Sequence, residues 1–197
     1  MRIAVLGAGI TGVSAAEWLR RDGHDATLID RVEPGAPAQA SYGNAGVLAN
    51  SGVVPVPVPG LMAKARRMLL DPDEPLFLRW SYLPRLLPWL ARFLGHGRRE
   101  EVERISRALA DLVGDTADQH RALAAGTGAE RYLGTGRYTY LYRDRAAWEA
   151  DGLGRALREA AGLRAEALDR QRLLALDPEL GEDYRFGLSF EESGHVT

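Results

Sequence analysis

The sequence has 197 residues, a length that suits one or two domains and allows a sizeable buried core. Its 25 basic and 27 acidic side chains leave a formal net charge of −2, which argues against a dedicated nucleic-acid binder. The chain has no cysteine, and therefore no disulfide, no thiolate metal site and no cysteine nucleophile. Its 4 histidines show no ligand spacing, so we expect no metal site.

The chain begins with a pattern of strand, turn, helix and strand. An apolar run at residues 3–6 predicts a buried strand, and the spacing of apolar side chains predicts a helix over residues 10–21. An Asp-Gly pair at residues 22–23 stops that helix, and residues 26–29 form the second predicted strand. A β-α-β unit of this kind predicts a parallel sheet.

Residues 31–60 are rich in proline, which excludes a central strand or a helix there. Valine and proline alternate over residues 54–59, which predicts an extended segment near polyproline II. Such a segment serves either as a rigid linker or as a wall over a ligand, and the sequence favours neither interpretation.

A mostly helical part follows. The pattern predicts a helix over residues 61–70 and, within residues 75–94, short helical pieces broken at Pro84 and Pro88. Residues 98–125 carry apolar side chains on one face and charged pairs on the other, which predicts one long amphipathic helix.

The last third of the sequence mixes strands and helices. Alternation of tyrosines with other residues predicts a strand over residues 136–143. Asp144 is the expected N-cap of a helix that runs to residue 161, and Asp169 is the expected N-cap of a short helix. A second alternating segment, residues 184–190, predicts another strand close to the end of the sequence.

The turn after the first strand carries the pattern G-x-G-x-x-G. Its residues are Gly7, Ala8, Gly9, Ile10, Thr11 and Gly12. Since the pattern follows a strand, opens a helix and is followed by an acidic residue, Asp30, at the end of the next strand, it predicts a dinucleotide-binding turn. Gly7 permits the tight turn, Gly9 lets a pyrophosphate approach the backbone, and Gly12 lets the helix pack close to the strand.

The nucleotide is expected to lie at the first turn of the helix, where backbone N–H groups and the helix dipole attract phosphate. Asp30 is the expected acceptor for the ribose hydroxyls, and its charge disfavours the 2′-phosphate of NADP, although Arg31 beside it offsets that effect. The pattern alone is compatible with either NAD or FAD.

The loop at residues 40–46 has the sequence Ala-Ser-Tyr-Gly-Asn-Ala-Gly. Together with the glycine turn and the Ile-Asp-Arg at residues 29–31, it resembles the D-amino-acid dehydrogenase branch of the FAD-dependent D-amino-acid oxidase family. The resemblance implies that this loop lies along the pyrophosphate and ribityl chain of FAD. The contacts that it implies are Ser41, Asn44, Ala45 and Gly46. Softer similarities continue to the end of the sequence, among them Gly134-Thr135-Gly136.

The resemblance implies an α/β fold, in which a Rossmann-like FAD-binding β-α-β unit precedes an α+β substrate domain, both incomplete in this chain. Residues 1–50 are the expected first segment of the FAD-binding domain, residues 51–190 the first part of the substrate domain, and residues 191–197 the return toward the FAD-binding domain. The implied reaction is oxidative deamination of a D-amino acid. The groups that hold the substrate carboxylate are expected beyond Thr197, so no catalytic residue is assigned.

Several alternatives remain open. The chain can belong to another flavin amine oxidoreductase of glycine, sarcosine or D-hydroxyproline type, to an inactive truncated flavoprotein, or to a nicotinamide-dependent dehydrogenase. Residues 138–142 carry three tyrosines that either line an amine pocket or pack on helices. We expect a cytoplasmic protein. The apolar stretch at residues 80–94 either packs internally or makes peripheral contact with the membrane, an alternative that arises because the resembling dehydrogenases deliver electrons to the respiratory chain.

Overall fold

The computed structural model describes residues 1–62, 65 and 78–197, and these form a mixed α/β fold. Backbone contacts divide the chain into two compact units. Unit 1 comprises residues 1–48, 115–136 and 192–197, and unit 2 comprises residues 49–114 and 137–191. The division into an FAD-binding domain (residues 1–50 and 191–197) and a substrate domain (residues 51–190) concerns what each part binds, and it stays a prediction. Most of the helix predicted at 61–70 lies outside the described residues.

Unit 1 begins with the predicted β-α-β arrangement: strand β1 (Arg2–Leu6), helix α1 (Ile10–Arg21) and strand β2 (Asp25–Ile29). The two strands pair in parallel with Arg2 opposite Asp25 and Leu6 opposite Ile29, which confirms the prediction of a parallel sheet. Helix α1 packs against both strands, and the side chains that alternate toward the other face are exposed.

The remaining elements continue in chain order. They are β3 (Val47–Leu48), α2 (Leu83–Gly95), α3 (Arg99–Val113), α4 (Thr116–Ala124), β4 (Leu133–Tyr142), α5 (Arg145–Ala150), α6 (Gly152–Ala160), β5 (Ala165–Asp169), α7 (Arg170–Leu176) and β6 (Phe186–Val196). In the second sheet the strands follow the order β3-β6-β4, and β5 also pairs with β6. The pairs β3–β6 and β5–β6 are antiparallel.

The prediction of one long helix over residues 98–125 is wrong, because α3 and α4 are separate helices. Gly114 donates its N–H to the Ala110 carbonyl at 2.9 Å and closes α3. Asp115 then starts α4, since its carbonyl and its Oδ2 accept from the backbone N–H and the side-chain amide of Gln119 at 3.0 and 2.8 Å. A glycine followed by an aspartate combines a weak helix former with a residue that favours helix starts, and this pair outweighs the continuous apolar face.

The predicted breaks at Pro84 and Pro88 do not occur, because α2 runs through both residues from Leu83 to Gly95. Pro84 lies in the first turn, where a backbone N–H has no intrahelical acceptor to lose. Pro88 lies inside the helix and removes one hydrogen bond. Leucines of this helix are half-buried, and Leu94 lines a cleft with Pro57 and Val58, so burial of the apolar side offsets that loss.

Both predicted aspartate caps are confirmed. Asp144 accepts from the Ala147 N–H at 2.7 Å, and Asp169 accepts from the Arg172 N–H at 2.9 Å. The helix predicted to run to residue 161 is nevertheless interrupted at Asp151, whose Oδ2 accepts a hydrogen bond from Tyr142 at 2.6 Å. The Asp151 carboxylate therefore bonds to strand β4, and the chain leaves helical geometry at this residue.

Strands β4 and β6 confirm the two predicted strands and extend them. Two strands were not predicted. Strand β5 has the sequence Ala-Glu-Ala-Leu-Asp, whose alanines and glutamate favour helix, and it is a strand because it pairs with β6 from Ala165 opposite Phe190 to Asp169 opposite Phe186. Strand β3 has 2 residues, too few for any periodic signal.

The core of unit 2 lies on the sheet. Phe190, Val53 and Val102 are almost fully buried, and the Tyr140 ring meets Phe190 edge-on with ring centroids 5.9 Å apart. The buried Arg158 lies over the Tyr140 ring at 4.1 Å and donates to Asp151 at 3.2 Å. These contacts favour the packing interpretation of the tyrosines over the amine pocket. Within the described ranges, no helix is long and apolar enough to cross a bilayer.

Candidate cofactor-binding site

The turn between β1 and α1 requires its glycines. Gly7 has φ of +104°, in the region that favours glycine, and its N–H donates to the Ile29 carbonyl at 2.8 Å, which ties the turn to β2. A Cβ on Gly12 would lie 1.8 Å from the Gly7 carbonyl oxygen and 3.6 Å from Leu28. Since such a contact is impossible, helix α1 reaches this close to the turn only with glycine at position 12.

The first turn of α1 receives a side chain from the loop that was predicted to contact FAD. Ser41 Oγ accepts a hydrogen bond from the Ile10 N–H at 3.0 Å. Gly9, the N-cap of the helix, has no side chain to do so, and a Cβ on Gly9 would lie 3.2 Å from Ser41 Oγ. The missing Cβ of Gly9 therefore leaves room for Ser41, a use of this glycine that the sequence did not predict. The following N–H groups, of Thr11 and Gly12, take no acceptor from the described part of the chain.

Asp30 lies where β2 ends, and the protein backbone holds its carboxylate. Oδ2 accepts from the Ala8 N–H at 2.5 Å, and Oδ1 accepts from the N–H of Arg31 at 2.6 Å and of Val32 at 3.3 Å. The hydrogen bond from Ala8, followed by that from Arg31, lowers the pKa of Asp30 below its ordinary value. The carboxylate is thus charged at neutral pH and fixed beside the glycine turn.

Two clefts meet at Asp30. One has a volume of about 520 Å³, and it is lined by Gly9, Asp30, Arg31, Val32, Ala38, Gln39, Ala40 and Ser41. The other has a volume of about 500 Å³, and it is lined by Ala8, Leu28, Asp30, Arg31, Val32, Glu33 and Pro34. Gly9, Asp30, Arg31 and Ser41 are thus brought together around the first cleft, as the predicted site requires.

The end of the predicted cofactor loop lies elsewhere in unit 1. Asn44, Ala45 and Gly46 line neither cleft. Asn44 Oδ1 accepts from the Gly46 N–H at 3.2 Å, and the Gly46 carbonyl accepts from the Val196 N–H at 2.7 Å. Gly46 has φ of +66°, and a Cβ there would lie 2.3 Å from the Val196 carbonyl oxygen. The last strand, β6, therefore fixes the end of this loop.

Sequence reasoning missed two residues of this region. Gln39 lines the first cleft, its Nε2 donates to Asp30 Oδ2 at 3.4 Å, and its Oε1 accepts from the Gly35 N–H at 3.0 Å. It lies in an irregular loop, where no periodicity marks a single polar side chain. His195 is the other residue, and no spacing in the sequence marks its contact. Its ring lies against Gly134, where a Cβ would come within 2.2 Å of the ring.

The residues present fit a dinucleotide. A turn with glycine at positions 7 and 9 leads into a helix, a fixed carboxylate ends the adjacent strand, and a cleft is lined by both Gly9 and that carboxylate. These are the parts that hold the pyrophosphate and ribose of a dinucleotide in α/β proteins. Within the described residues, no cluster of three histidines or carboxylates is placed to hold a metal ion.

These features define a dinucleotide-binding α/β protein, and comparison with known proteins identifies its class. The model of the family described as FAD dependent oxidoreductase matches residues 2–197. The chain belongs to this family, whose cofactor is FAD. This membership confirms the resemblance noted in the sequence and disfavours the nicotinamide-dependent alternative.

Named relatives agree with that membership. A D-amino-acid oxidase of Bradyrhizobium diazoefficiens is 39% identical over 193 residues, which cover 98% of this chain and 46% of the relative. A D-amino acid dehydrogenase of Methylobacterium sp. is 35% identical over 184 residues, which cover 91% of this chain and 42% of the relative. The chain thus spans less than half the length of these curated relatives.

A solved structure of similar fold is the glycine oxidase from Bacillus cereus. It matches 98% of this chain and 39% of its own with a TM-score of 0.54 and 16% sequence identity. At that identity the likeness concerns the fold alone, and it confirms the predicted α/β class.

Proposed function

We propose that this chain supplies the FAD-binding side of an enzyme that oxidatively deaminates D-amino acids. Two relatives named for D-amino acids, at 39% and 35% identity, support the choice of substrate class. The glycine oxidase, at 16% identity, supports only the fold and gives no reason to prefer glycine.

The observation that carries the proposal is the conformation of the turn that contains Gly7, Gly9 and Gly12. At each of these positions a side chain would be strained or would make a close contact. Gly7 has a positive φ, Gly9 faces Ser41 at close range, and Gly12 touches a backbone carbonyl. A turn that needs glycine at positions 7 and 12 and has no side chain at position 9, next to a fixed carboxylate at the end of β2, suits the approach of a pyrophosphate to the backbone.

Within this proposal each predicted residue has a role. The N–H groups of Thr11 and Gly12 bind pyrophosphate oxygens, since Ser41 already holds the preceding N–H. The charged carboxylate of Asp30 accepts hydrogen bonds from ribose hydroxyls through its remaining lone pairs. Arg31, which lines both clefts, adds positive charge near the phosphates.

Residues 44–46, at the end of the loop, are proposed to lie beside the part of FAD that leads to the flavin ring. We assign Asn44, Ala45 and Gly46 to the ribityl side of FAD, where the hydrogen bonds from Gly46 to Asn44 and from Val196 to Gly46 keep the backbone in one conformation. Fixing the loop in this way orients the cofactor without a side chain that takes part in the chemistry.

Bound FAD would supply the hydride acceptor for oxidation at the substrate α-carbon, and hydrolysis of the oxidised amine by water would give a 2-oxo acid and ammonia. The residues of this chain bind and orient the cofactor.

The proposed organisation assigns residues 1–50 and 191–197 to the FAD-binding domain and residues 51–190 to the substrate domain. A cytoplasmic location is proposed because the chain has no cysteine, which suits a reducing compartment.

The test uses the protein expressed from its complete reading frame. We expect a yellow protein whose flavin absorbance is bleached anaerobically by D-amino acids and not by their L-enantiomers, and which reduces an artificial electron acceptor. A protein purified without flavin, or one bleached by L-amino acids instead, contradicts the proposal.

Residues 1–197 alone are expected to hold FAD weakly and to oxidise no D-amino acid. In the described residues the sheet of unit 1 has 2 strands, and Leu6 on β1 is 80% exposed. Parallel sheets are normally covered on both faces, so this surface favours aggregation. A monomeric, flavin-loaded and active 197-residue protein refutes this expectation.

A further inference from the structure

Gln39 is a polar side chain of the candidate site to which the proposed function assigns no role. Its Nε2 lies 3.4 Å from Asp30 Oδ2, and its Oε1 accepts from the Gly35 N–H at 3.0 Å. The residue is half-buried and lines the first cleft together with Asp30, whereas it does not line the second. Gln39 therefore lies on the side of Asp30 that also holds Gly9 and Ser41.

The carboxylate of Asp30 has little acceptor capacity left for a ligand. A charged carboxylate offers about four lone-pair positions. Backbone N–H groups take three of them, those of Ala8, Arg31 and Val32 at 2.5, 2.6 and 3.3 Å. The fourth position, on Oδ2, is the one that the Gln39 amide faces, at the longest of the four distances. A ribose hydroxyl that donates to Asp30 must therefore take the place of the Gln39 amide.

The Gln39 side chain can make this exchange without a change in the backbone. Its main chain is held on both sides, since its N–H donates to the Ala36 carbonyl and its carbonyl accepts from the Tyr42 N–H, each at 3.0 Å. Only the side-chain torsions must turn, and only one long hydrogen bond is given up. The three backbone donors on Asp30 have no such freedom, because they belong to the glycine turn and to the end of β2.

A hydroxyl group suits the space between an amide N–H and a carboxylate. It donates its proton to the carboxylate and accepts from the amide at the same oxygen, because a hydroxyl is donor and acceptor at once. An ionised phosphate has no proton to donate and carries the same sign of charge as Asp30, so the pair disfavours it. The arrangement of Gln39 and Asp30 thus fits an unmodified sugar hydroxyl.

We propose that Gln39 and Asp30 together recognise one hydroxyl of the adenosine ribose, which donates to Asp30 Oδ2 and accepts from Gln39 Nε2. The inference rests on the proposed function, since it takes FAD as the ligand. It puts the ribose in the first cleft, on the side of Asp30 that leads to Gly9 and the start of α1. Gln39 is then a specificity-determining residue of the cofactor site.

A purely structural role of Gln39 predicts a different result. The hydrogen bond from the Gly35 N–H closes the turn at residues 35–39, and Gly35 has φ of +82°. If Gln39 only holds this turn, its removal changes the shape of the cleft and weakens all adenine nucleotides by the same factor. If Gln39 recognises a hydroxyl, its removal weakens only the nucleotides that carry that hydroxyl.

The experiment compares ADP, 2′-deoxy-ADP and 3′-deoxy-ADP as competitors of FAD, with flavin-free protein expressed from the complete reading frame. We expect Gln39→Ala to weaken binding of ADP and of FAD about fivefold, the size of one hydrogen bond between uncharged groups. For the deoxy analogue that lacks the recognised hydroxyl, the parent and Gln39→Ala should bind equally well. Gln39→Glu should weaken ADP at least as much, because it replaces the amide donor by an acceptor beside Asp30.

Gln119→Ala is the matched control. Gln119 Nε2 donates to Asp115 Oδ2 at 2.8 Å, so this variant also removes a glutamine amide from an aspartate, and Gln119 lines neither cleft. We expect it to bind ADP and both deoxy analogues as the parent does. Circular dichroism of each variant establishes that the helix content is retained before affinities are compared.

Three results overturn the inference. In the first, Gln39→Ala weakens ADP and both deoxy analogues equally, which makes Gln39 a structural residue of the loop. In the second, Gln39→Ala binds ADP as tightly as the parent or loses no more than Gln119→Ala does. In both of these cases the parent still binds FAD, so the proposed function stands. In the third, the parent binds neither FAD nor ADP, which refutes the proposed function and the inference with it.

Discussion

Replacing Gly12 by alanine should open the turn on which the candidate cofactor site is built. A Cβ at this position would lie 1.8 Å from the Gly7 carbonyl oxygen and 2.9 Å from its carbonyl carbon. Both atoms belong to the backbone, so no side chain can rotate away, and α1 must move from β1 by more than an ångström. Overpacking of this kind costs roughly 1–3 kcal/mol, and we expect the upper part of that range.

Urea unfolding followed by circular dichroism measures this cost. Alanine at Gly95, near the end of α2, is the control, since it meets nothing within 4 Å and alanine is the better helix former. We expect Gly12→Ala to lose about 2–3 kcal/mol and Gly95→Ala to lose nothing. If the two variants unfold at the same urea concentration, α1 does not depend on close packing at position 12, and the reasoning about the turn is wrong.

Other substitutions test other parts of the structure. Gly134→Ala should destabilise the protein by about 1–3 kcal/mol because its Cβ would press on the His195 ring, whereas Gly136→Ala, with the ring 3.6 Å away, should be nearly neutral; equal unfolding midpoints refute this. Asp30→Asn should remove the stability that the charged carboxylate contributes. The pKa of Asp30 is lower in the folded than in the unfolded protein. The stability that the carboxylate contributes is therefore present above the unfolded-state pKa near 4 and is lost as pH falls through the folded-state pKa. The free energies of unfolding of parent and variant should differ at neutral pH and converge in acid. Ser41→Ala should cost about 0.5–2 kcal/mol, since the first N–H of α1 loses its acceptor, and an unchanged unfolding midpoint shows that water replaces the hydroxyl.

The sequence predicts local structure best at positions where only one or two residue types satisfy the backbone geometry or its hydrogen bonds. The glycine turn, the helix after it and Asp30 at the end of β2 follow from a motif in which each residue type has a distinct steric or electrostatic reason. The aspartate caps at Asp144 and Asp169 follow from the same kind of local hydrogen bond. The structure agrees with the predicted helix start, turn and caps, whereas the cofactor contacts of these residues stay a prediction.

The sequence fails where tertiary contacts outweigh local preference. Strand β5 is composed of residues that favour helix, and only its pairing with β6 makes it a strand. Helix α2 continues through Pro88, and burial of its leucines on one side offsets the lost hydrogen bond. Gln39 and the hydrogen bond from Ile10 to Ser41 join segments that lie far apart in sequence, and no local pattern marks such a pair.

The central claim is that the glycine turn of this chain binds FAD, and a flavin titration of Gly9→Val tests it most directly. A valine at this position would fill the space between Ser41 and the start of α1, where the pyrophosphate must approach the backbone. With the protein from the complete reading frame, tryptophan fluorescence quenching by added FAD should saturate for the parent and for Gly95→Ala, and should be absent for Gly9→Val at equal helix content. If Gly9→Val binds FAD as tightly as the parent does, the cofactor lies elsewhere and the account of this site is wrong.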